Sequence, residues 1–109
     1  MIRVTIKRRP GGRIESFRVK GHALFDNPGK DIVCAGVSAV TVGTVNAVES
    51  VLGVELQADM KDGLLDVRVP ERLDEALSEK VQLLLESMVA MLQSIEQSYG
   101  EYIALQQSK

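Results

Sequence analysis

From Ile32 to Val48 the chain carries no charged side chain, and this run constrains the fold more than any other stretch. It reads IVCAGVSAVTVGTVNAV and continues through Glu49, Ser50, Val51 and Leu52 to Gly53. Its valines favour a strand. Its length decides for a helix, because roughly twenty residues without a turn signal exceed a normal strand. Asp31 is placed to cap that helix, with a side chain that accepts a hydrogen bond from a free first-turn amide. Gly53 is placed to end it in a left-handed cap. Ala35, Gly36, Ser38, Ala39, Gly43 and Ala47 leave little bulk, so the helix packs closely. The lack of charge implies that other structure surrounds it. Its serine, threonines, asparagine and glycines make it too polar, and the run is too short, for a comfortable membrane span.

The flanking segments read as strands and a second helix. Ile2, Val4 and Ile6 alternate with Arg3, Thr5 and Lys7, the period of a half-buried strand. Pro10-Gly11-Gly12 breaks it as a hairpin connection would. The second strand runs from Ile14 to Lys20, with Phe17 and Val19 on one face. Ile14 has the wrong parity for that face, so either it lies outside the pairing or a bulge near Glu15 shifts the register. Beyond Gly53, Val54, Leu56 and Ala58 alternate with Glu55, Gln57 and Asp59 as a third strand. Lys61-Asp62-Gly63 is a turn. Leu65, Val67 and Val69 form a fourth strand, ended by Pro70. Leu73, Leu77, Val81, Leu84, Met88, Met91 and Ile95 recur every three or four residues, as on an amphipathic helix. Gly100 is its stop, and Ile103 and Leu105 are placed for a short final strand. The 109 residues fit a single domain, 1–109. Its fold class is α+β: a two-layer structure with two helices on one face of a mainly antiparallel sheet, in the order ββαββα.

Charge is unevenly distributed. Arg3, Lys7, Arg8, Arg9, Arg13, Arg18, Lys20 and Lys30 face only Glu15 and Asp26 in the first thirty residues, although the whole chain carries −2. Two solvated faces explain this, and so does a basic face that meets RNA or another anionic partner. The single cysteine excludes an internal disulfide and fits a reducing compartment. The alternating N-terminus lacks the apolar core of a signal peptide. These features read as a cytoplasmic protein without a membrane partner. One cysteine and one histidine leave a tetrahedral zinc site dependent on carboxylates or a second chain, so no metal or other cofactor is expected.

The chemistry gathers at one place. His22 ends the second strand, and Cys34 falls in the first turn of the long helix. The loop Ala23 to Lys30, with Asp26-Asn27-Pro28-Gly29 at its centre, lies between them. Free amides and the positive end of a helix favour a thiolate at such a position. A lone cysteine in an apolar segment is also an ordinary core residue, and a lone histidine an ordinary surface one. Together they supply a nucleophile and a base. Backbone amides around Cys34 are candidates for an oxyanion hole. Asp31 is either the helix cap or the orienter of His22. Ser38, one turn after Cys34, borders the site or bonds back to its own helix. The loop is expected to be weakly ordered alone and to close over a bound peptide.

Gly21-His22-Ala23, followed after a short loop by Gly29-Lys30-Asp31-Ile32-Val33-Cys34-Ala35-Gly36-Val37-Ser38-Ala39, resembles the signature of the Prp or YsxB-like family, the bacterial ribosomal-processing cysteine proteases. The resemblance extends to Ile95-Glu96-Gln97-Ser98-Tyr99. It implies a homodimeric cytoplasmic endopeptidase with a dyad of His22 and Cys34, and with Asp31 and Ser38 in the site. The loop residues Ala23, Asp26, Asn27, Pro28, Gly29 and Lys30 would order over the substrate. That substrate would be a large-subunit ribosomal protein with a cleavable N-terminal extension. The rival reading is a non-enzymatic, ribosome-associated binding module that uses the basic N-terminal half.

Overall fold

Alternation in the first two strands produces one apolar and one polar sheet face, and the two helices are stacked on the apolar one. The computed structural model describes residues 1–27 and 30–108. β1 (Ile2–Arg8) buries Ile2, Val4 and Ile6, and pairs antiparallel with β2 (Ile14–Lys20), which buries Ile14 and Phe17. α1 (Ile32–Leu52) follows, then β3 (Gln57–Lys61), β4 (Leu64–Arg68), α2 (Glu75–Tyr99) and β5 (Ile103–Ser108). The sheet order is β3-β4-β2-β1-β5. All pairings are antiparallel except β1 with β5, which is parallel and places Ile103 beside Ile2. The short final strand therefore exists, and it makes the sheet mixed. One core joins the inner sheet face to α1 and α2.

The parity of Ile14 is resolved by a bulge. Lys7 pairs with Ser16 but Arg8 pairs with Ile14, so Glu15 is the extra residue and Ile14 turns inward to full burial. The unpaired backbone of the bulge is satisfied from outside the ladder. The amide of Ile14 donates to Gln82 Oε1 at 2.7 Å, and Gln82 Nε2 donates to the Ile14 carbonyl at 2.9 Å. The amide of Val69 donates to the Glu15 carbonyl at 2.9 Å. Arg8 clamps Glu86, with bonds of 2.5 and 2.8 Å, and Arg13 bonds Glu75 and Ser78. The β1–β2 hairpin is thus bolted to α2 by polar contacts around an apolar centre.

Three expectations need correction. The third strand starts at Gln57, not Val54, because Val54 and Leu56 are buried before any pairing with β4 begins at Arg68. Alternation recorded burial, not ladder hydrogen bonds. On α2 the buried stripe is Val81, Leu85, Met88, Val89 and Leu92, while Met91 is 45% exposed. The leucine run 83–85 fits two neighbouring stripes, and packing selects the one centred on Leu85. The charge-free α1 has the ends foreseen, with Asp31 as N-cap and Gly53 at φ 68° as C-cap, but it is not surrounded. Only Val33, Val37, Thr41, Thr44 and Val48 are buried; Ile32 and Val51 are 57% and 71% exposed. By length and composition α1 is long and apolar enough to cross a membrane, a test that the packed core helix of a folded domain also meets.

Removing the Gln82 side chain should leave the Ile14 amide and carbonyl without partners in a site closed to most water. Gln82→Ala is expected to lower stability by about 1–3 kcal/mol, read as a shift in the urea midpoint at unchanged slope. An unshifted midpoint would mean that the bulge does not depend on α2.

Candidate active site

The carboxylate of Asp31 assembles the site. Its Oδ1 accepts from the amides of Val33 and Cys34, both at 3.0 Å, which caps α1. Its Oδ2 accepts from the amides of Phe25 and Asp26, at 2.9 and 3.3 Å, which ties the loop to the helix start. Both oxygens are thus engaged by backbone, so Asp31 acts as cap and loop staple, not as the orienter of His22. Asp31 is 8% exposed. Burial opposes its ionisation, but the amides of Cys34, Asp26, Phe25 and Val33 outweigh burial and hold the carboxyl below its ordinary value.

Cys34 lies half-buried in the first turn of α1, as its spacing from Asp31 predicts. The amide of Ala23 points at its sulfur, with nitrogen and Sγ 3.3 Å apart. The amides of Val33 and Cys34 are not free, as the sequence reading had them, because Asp31 accepts from both. Ala23 N–H is therefore the donor aimed at the Cys34 sulfur. His22 stands exposed at the end of β2, beside Gly63 of the β3–β4 turn. A methyl group at Gly63 would lie 3.0 Å from His22 Nε2, and Gly63 has φ +71°. Two constraints thus require glycine there: the left-handed backbone and the room for the imidazole. The sequence marked Gly63 only as a turn residue; its contact with His22 arises from strand pairing and had no local signal.

His22, Cys34 and Ser38 line one cleft of about 510 Å³. Val37, Thr41 and Val42 of α1 form one wall, and Met60, Leu64 and Leu65 of the β3–β4 hairpin form the other. The walls are mostly apolar, and Lys61 and Asp62 of the β3–β4 turn also border the cleft. Ser38 is exposed to this cleft one turn beyond Cys34.

The described residues at the start of the loop, 23–27, have several anchors. Phe25 packs edge-on against Tyr99 and Tyr102, with ring centroids 5.9 and 5.1 Å apart. Asn27 N–H donates to Asp26 Oδ1 at 2.7 Å, and Lys30 N–H to the Asn27 carbonyl at 2.9 Å. Ala23 is buried, whereas Leu24 is 77% exposed at φ 59°. Leucine in that region costs about 1–2 kcal/mol, so anchors on both sides must impose it. Ala23 beneath the sulfur and the twofold hold on Phe25 are those anchors. Pro28 and Gly29, also assigned to the loop, lie outside the described residues. Among the described residues no group of three or more His, Cys, Asp and Glu side chains is arranged to hold a metal ion.

Residues 1–104 match the family model described as "Cysteine protease Prp". The chain belongs to the Prp family. It is similar to the ribosomal processing cysteine protease Prp of Bacillus subtilis (strain 168), at 44% identity over 103 residues, covering 93% of this chain and 92% of that one. It is similar also to the Staphylococcus aureus (strain Mu50 / ATCC 700699) Prp, at 38% over 108 residues and 96% and 97% coverage. Among solved structures, S. aureus Prp in complex with a covalently linked product peptide superposes with TM-score 0.89 at 34% identity, covering 98% of this chain and 99% of that one. The same S. aureus protease in complex with a substrate peptide gives TM-score 0.84 at 33% identity and the same coverage. The Prp fold therefore spans β1 to β5.

The lowered carboxyl of Asp31 has a consequence for acid stability. A group with a depressed folded pKa stabilises the fold fully above its unfolded value, about 3.9 for Asp, and that contribution is lost as pH falls through the folded value. Asp31→Asn should remove that part of the acid limb: its urea midpoint should lie below the parent at pH 7, and the two should converge as pH falls through the lowered folded value. Parallel curves across the range would assign the acid limb to other carboxylates.

Proposed function

We propose that this chain is a cysteine endopeptidase that removes a short N-terminal extension from a large-subunit ribosomal protein, with Cys34 as nucleophile and His22 as general base. The observation that carries this reading is the shared cleft. A half-buried thiol at a capped helix start and the only histidine line one apolar groove in a chain of the Prp family.

In the proposed reaction His22 takes the proton of the Cys34 thiol, and the sulfur attacks the carbonyl carbon of the scissile peptide bond. Ala23 N–H, the donor directed at the sulfur, favours the thiolate, and the positive end of α1 stabilises the negative oxygen of the tetrahedral adduct. Collapse breaks the C–N bond, and His22 delivers its proton to the departing amine. A water molecule, deprotonated by His22, attacks the remaining thioester and releases the carboxylate product, while the thiolate regains its proton. Gly63 keeps the imidazole side open, and the walls from Val37, Met60 and Leu65 favour apolar side chains next to the scissile bond. Closing of the Ala23–Lys30 loop over the peptide would exclude water from the adduct.

We further propose a cytoplasmic homodimer. The outward face of α1, with Ile32, Ala35, Ala39 and Asn46, is exposed and uncharged, and its small side chains allow a second helix to approach closely. A second copy would cover it by self-complementary packing. The lone reduced cysteine and a ribosomal substrate both fit the cytoplasm.

Cys34→Ala should abolish cleavage of an extended ribosomal protein, read by mass spectrometry of the new N-terminus. His22→Ala should lower the rate by about 10²–10⁴-fold. Processing by Cys34→Ala at the parental rate would end the protease assignment. Ala39→Arg should turn the sedimenting species from dimer to monomer; an unchanged dimer would move the interface off α1.

A further inference from the structure

The basic N-terminal half divides between two sides of the sheet. Arg8 and Arg13 turn to the helical layer, where Glu86, Glu75 and Ser78 hold them. The remaining strand cations point the other way. Arg3 pairs across with Lys20, Thr5 with Arg18, and Lys7 with Ser16, so these side chains share the uncovered face. The β2–β4 and β4–β3 registers carry that face on through Ser16–Arg68, Arg18–Asp66 and the Lys61–Leu64 pair. The outer face therefore presents Arg3, Lys7, Arg18, Lys20, Lys61 and Arg68 against Glu15, Asp59 and Asp66. Arg18 is paired with Asp66 at 2.9 Å, and Lys7 with the bulge residue Glu15 at 3.4 Å. Among the described residues Arg3, Lys20, Lys61 and Arg68 make no ion pair. Arg9 and Arg72 lie at the margin, offset by Glu55 and Glu71. A positive face on a chain of net charge −2 does not follow from overall composition.

We propose that this open sheet face binds the phosphate backbone of a structured RNA. Strands lie about 4.8 Å apart and alternate residues about 6.8 Å apart, so the cations form a shallow grid suited to several phosphates at once. Thr5, Ser16, Gln57 and Gln106 lie between them as neutral hydrogen-bonding groups. The face holds no aromatic residue, which removes base stacking and favours backbone contact over single-strand reading. It also lacks the buried aromatic anchors of a protein interface and the apolar wedge of a membrane-binding surface. The row Lys61, Lys20, Arg3 runs along the sheet end that carries Gly21, His22 and Gly63, so RNA bound there lies beside the cleft. The choice of RNA among polyanions rests on the ribosomal reading above. Its test reads binding alone, so the two stand or fall separately.

Binding of an rRNA-derived hairpin is measured by fluorescence anisotropy from 50 to 300 mM salt. Affinity should fall steeply, with a log–log slope of about −3. Arg3→Ala/Arg68→Ala should weaken binding on the order of tenfold and reduce the slope by about 2. Lys80→Glu, the same change in net charge on the exposed side of α2, should bind as the parent does. Cleavage of a free peptide should be unchanged in the double variant. No binding at 50 mM salt, equal weakening by Lys80→Glu, or tighter binding of polyglutamate or anionic lipid vesicles than of the hairpin would overturn the proposal.

Discussion

One buried carboxylate joins the two parts of the candidate site. Asp31 accepts from the amides of Phe25, Asp26, Val33 and Cys34, so the helix that carries the thiol and the loop that leaves the imidazole share one anchor. A neutral cap would satisfy the helix, but a carboxylate with two oxygens also gathers loop amides that would otherwise point into a poorly solvated corner. Phe25 then seats against Tyr99 and Tyr102, coupling the loop to the end of α2 and the start of β5. The conformation of Leu24 follows from these anchors.

A second set of constraints sets the sheet beneath the site. The Glu15 bulge turns Ile14 into the core, and Gln82, Arg8 and Arg13 carry the polar consequences across to α2. The same division leaves the other cations of β1 and β2 on the open face. Apolar packing, bulge satisfaction and charge separation are therefore one arrangement: the residues that bolt the hairpin to α2 are those whose side chains leave the sheet on the helical side.

α1 shows how function and packing divide a single helix. Its inner stripe, Val33 to Val48, fills the core, and its buried threonines return their hydroxyls to the carbonyls of Val37 and Val40. A second flank, with Cys34, Ser38 and Val42, lines the cleft. The outward flank is small and uncharged. Charge is absent for different reasons on the three sides, so lack of charge alone did not mean burial.

The sequence by itself determined what local chemistry controls. The ends of α1 were legible because Asp31 and Gly53 are capping residues, and β1 and β2 because burial on one face imposes a period of two. That His22, Cys34 and Ser38 border one cleft was foreseeable, because a short loop limits how far apart His22 and the start of α1 fall. The parity of Ile14 left a bulge as one of two explanations, and pairing decided for it. What pairs over distance was decided only in three dimensions. The late start of β3, the choice of Leu85 over Met91 and the exposure of α1 depend on which surfaces meet. Gly63 acquires its place beside His22 through the β2–β4–β3 registers, across some forty residues of intervening chain. The allocation of Val33 and Cys34 amides to Asp31, leaving Ala23 N–H facing the sulfur, depends on the folded path of the loop. Local residue type does not encode such allocations, because each depends on which partner the tertiary structure brings within hydrogen-bonding distance.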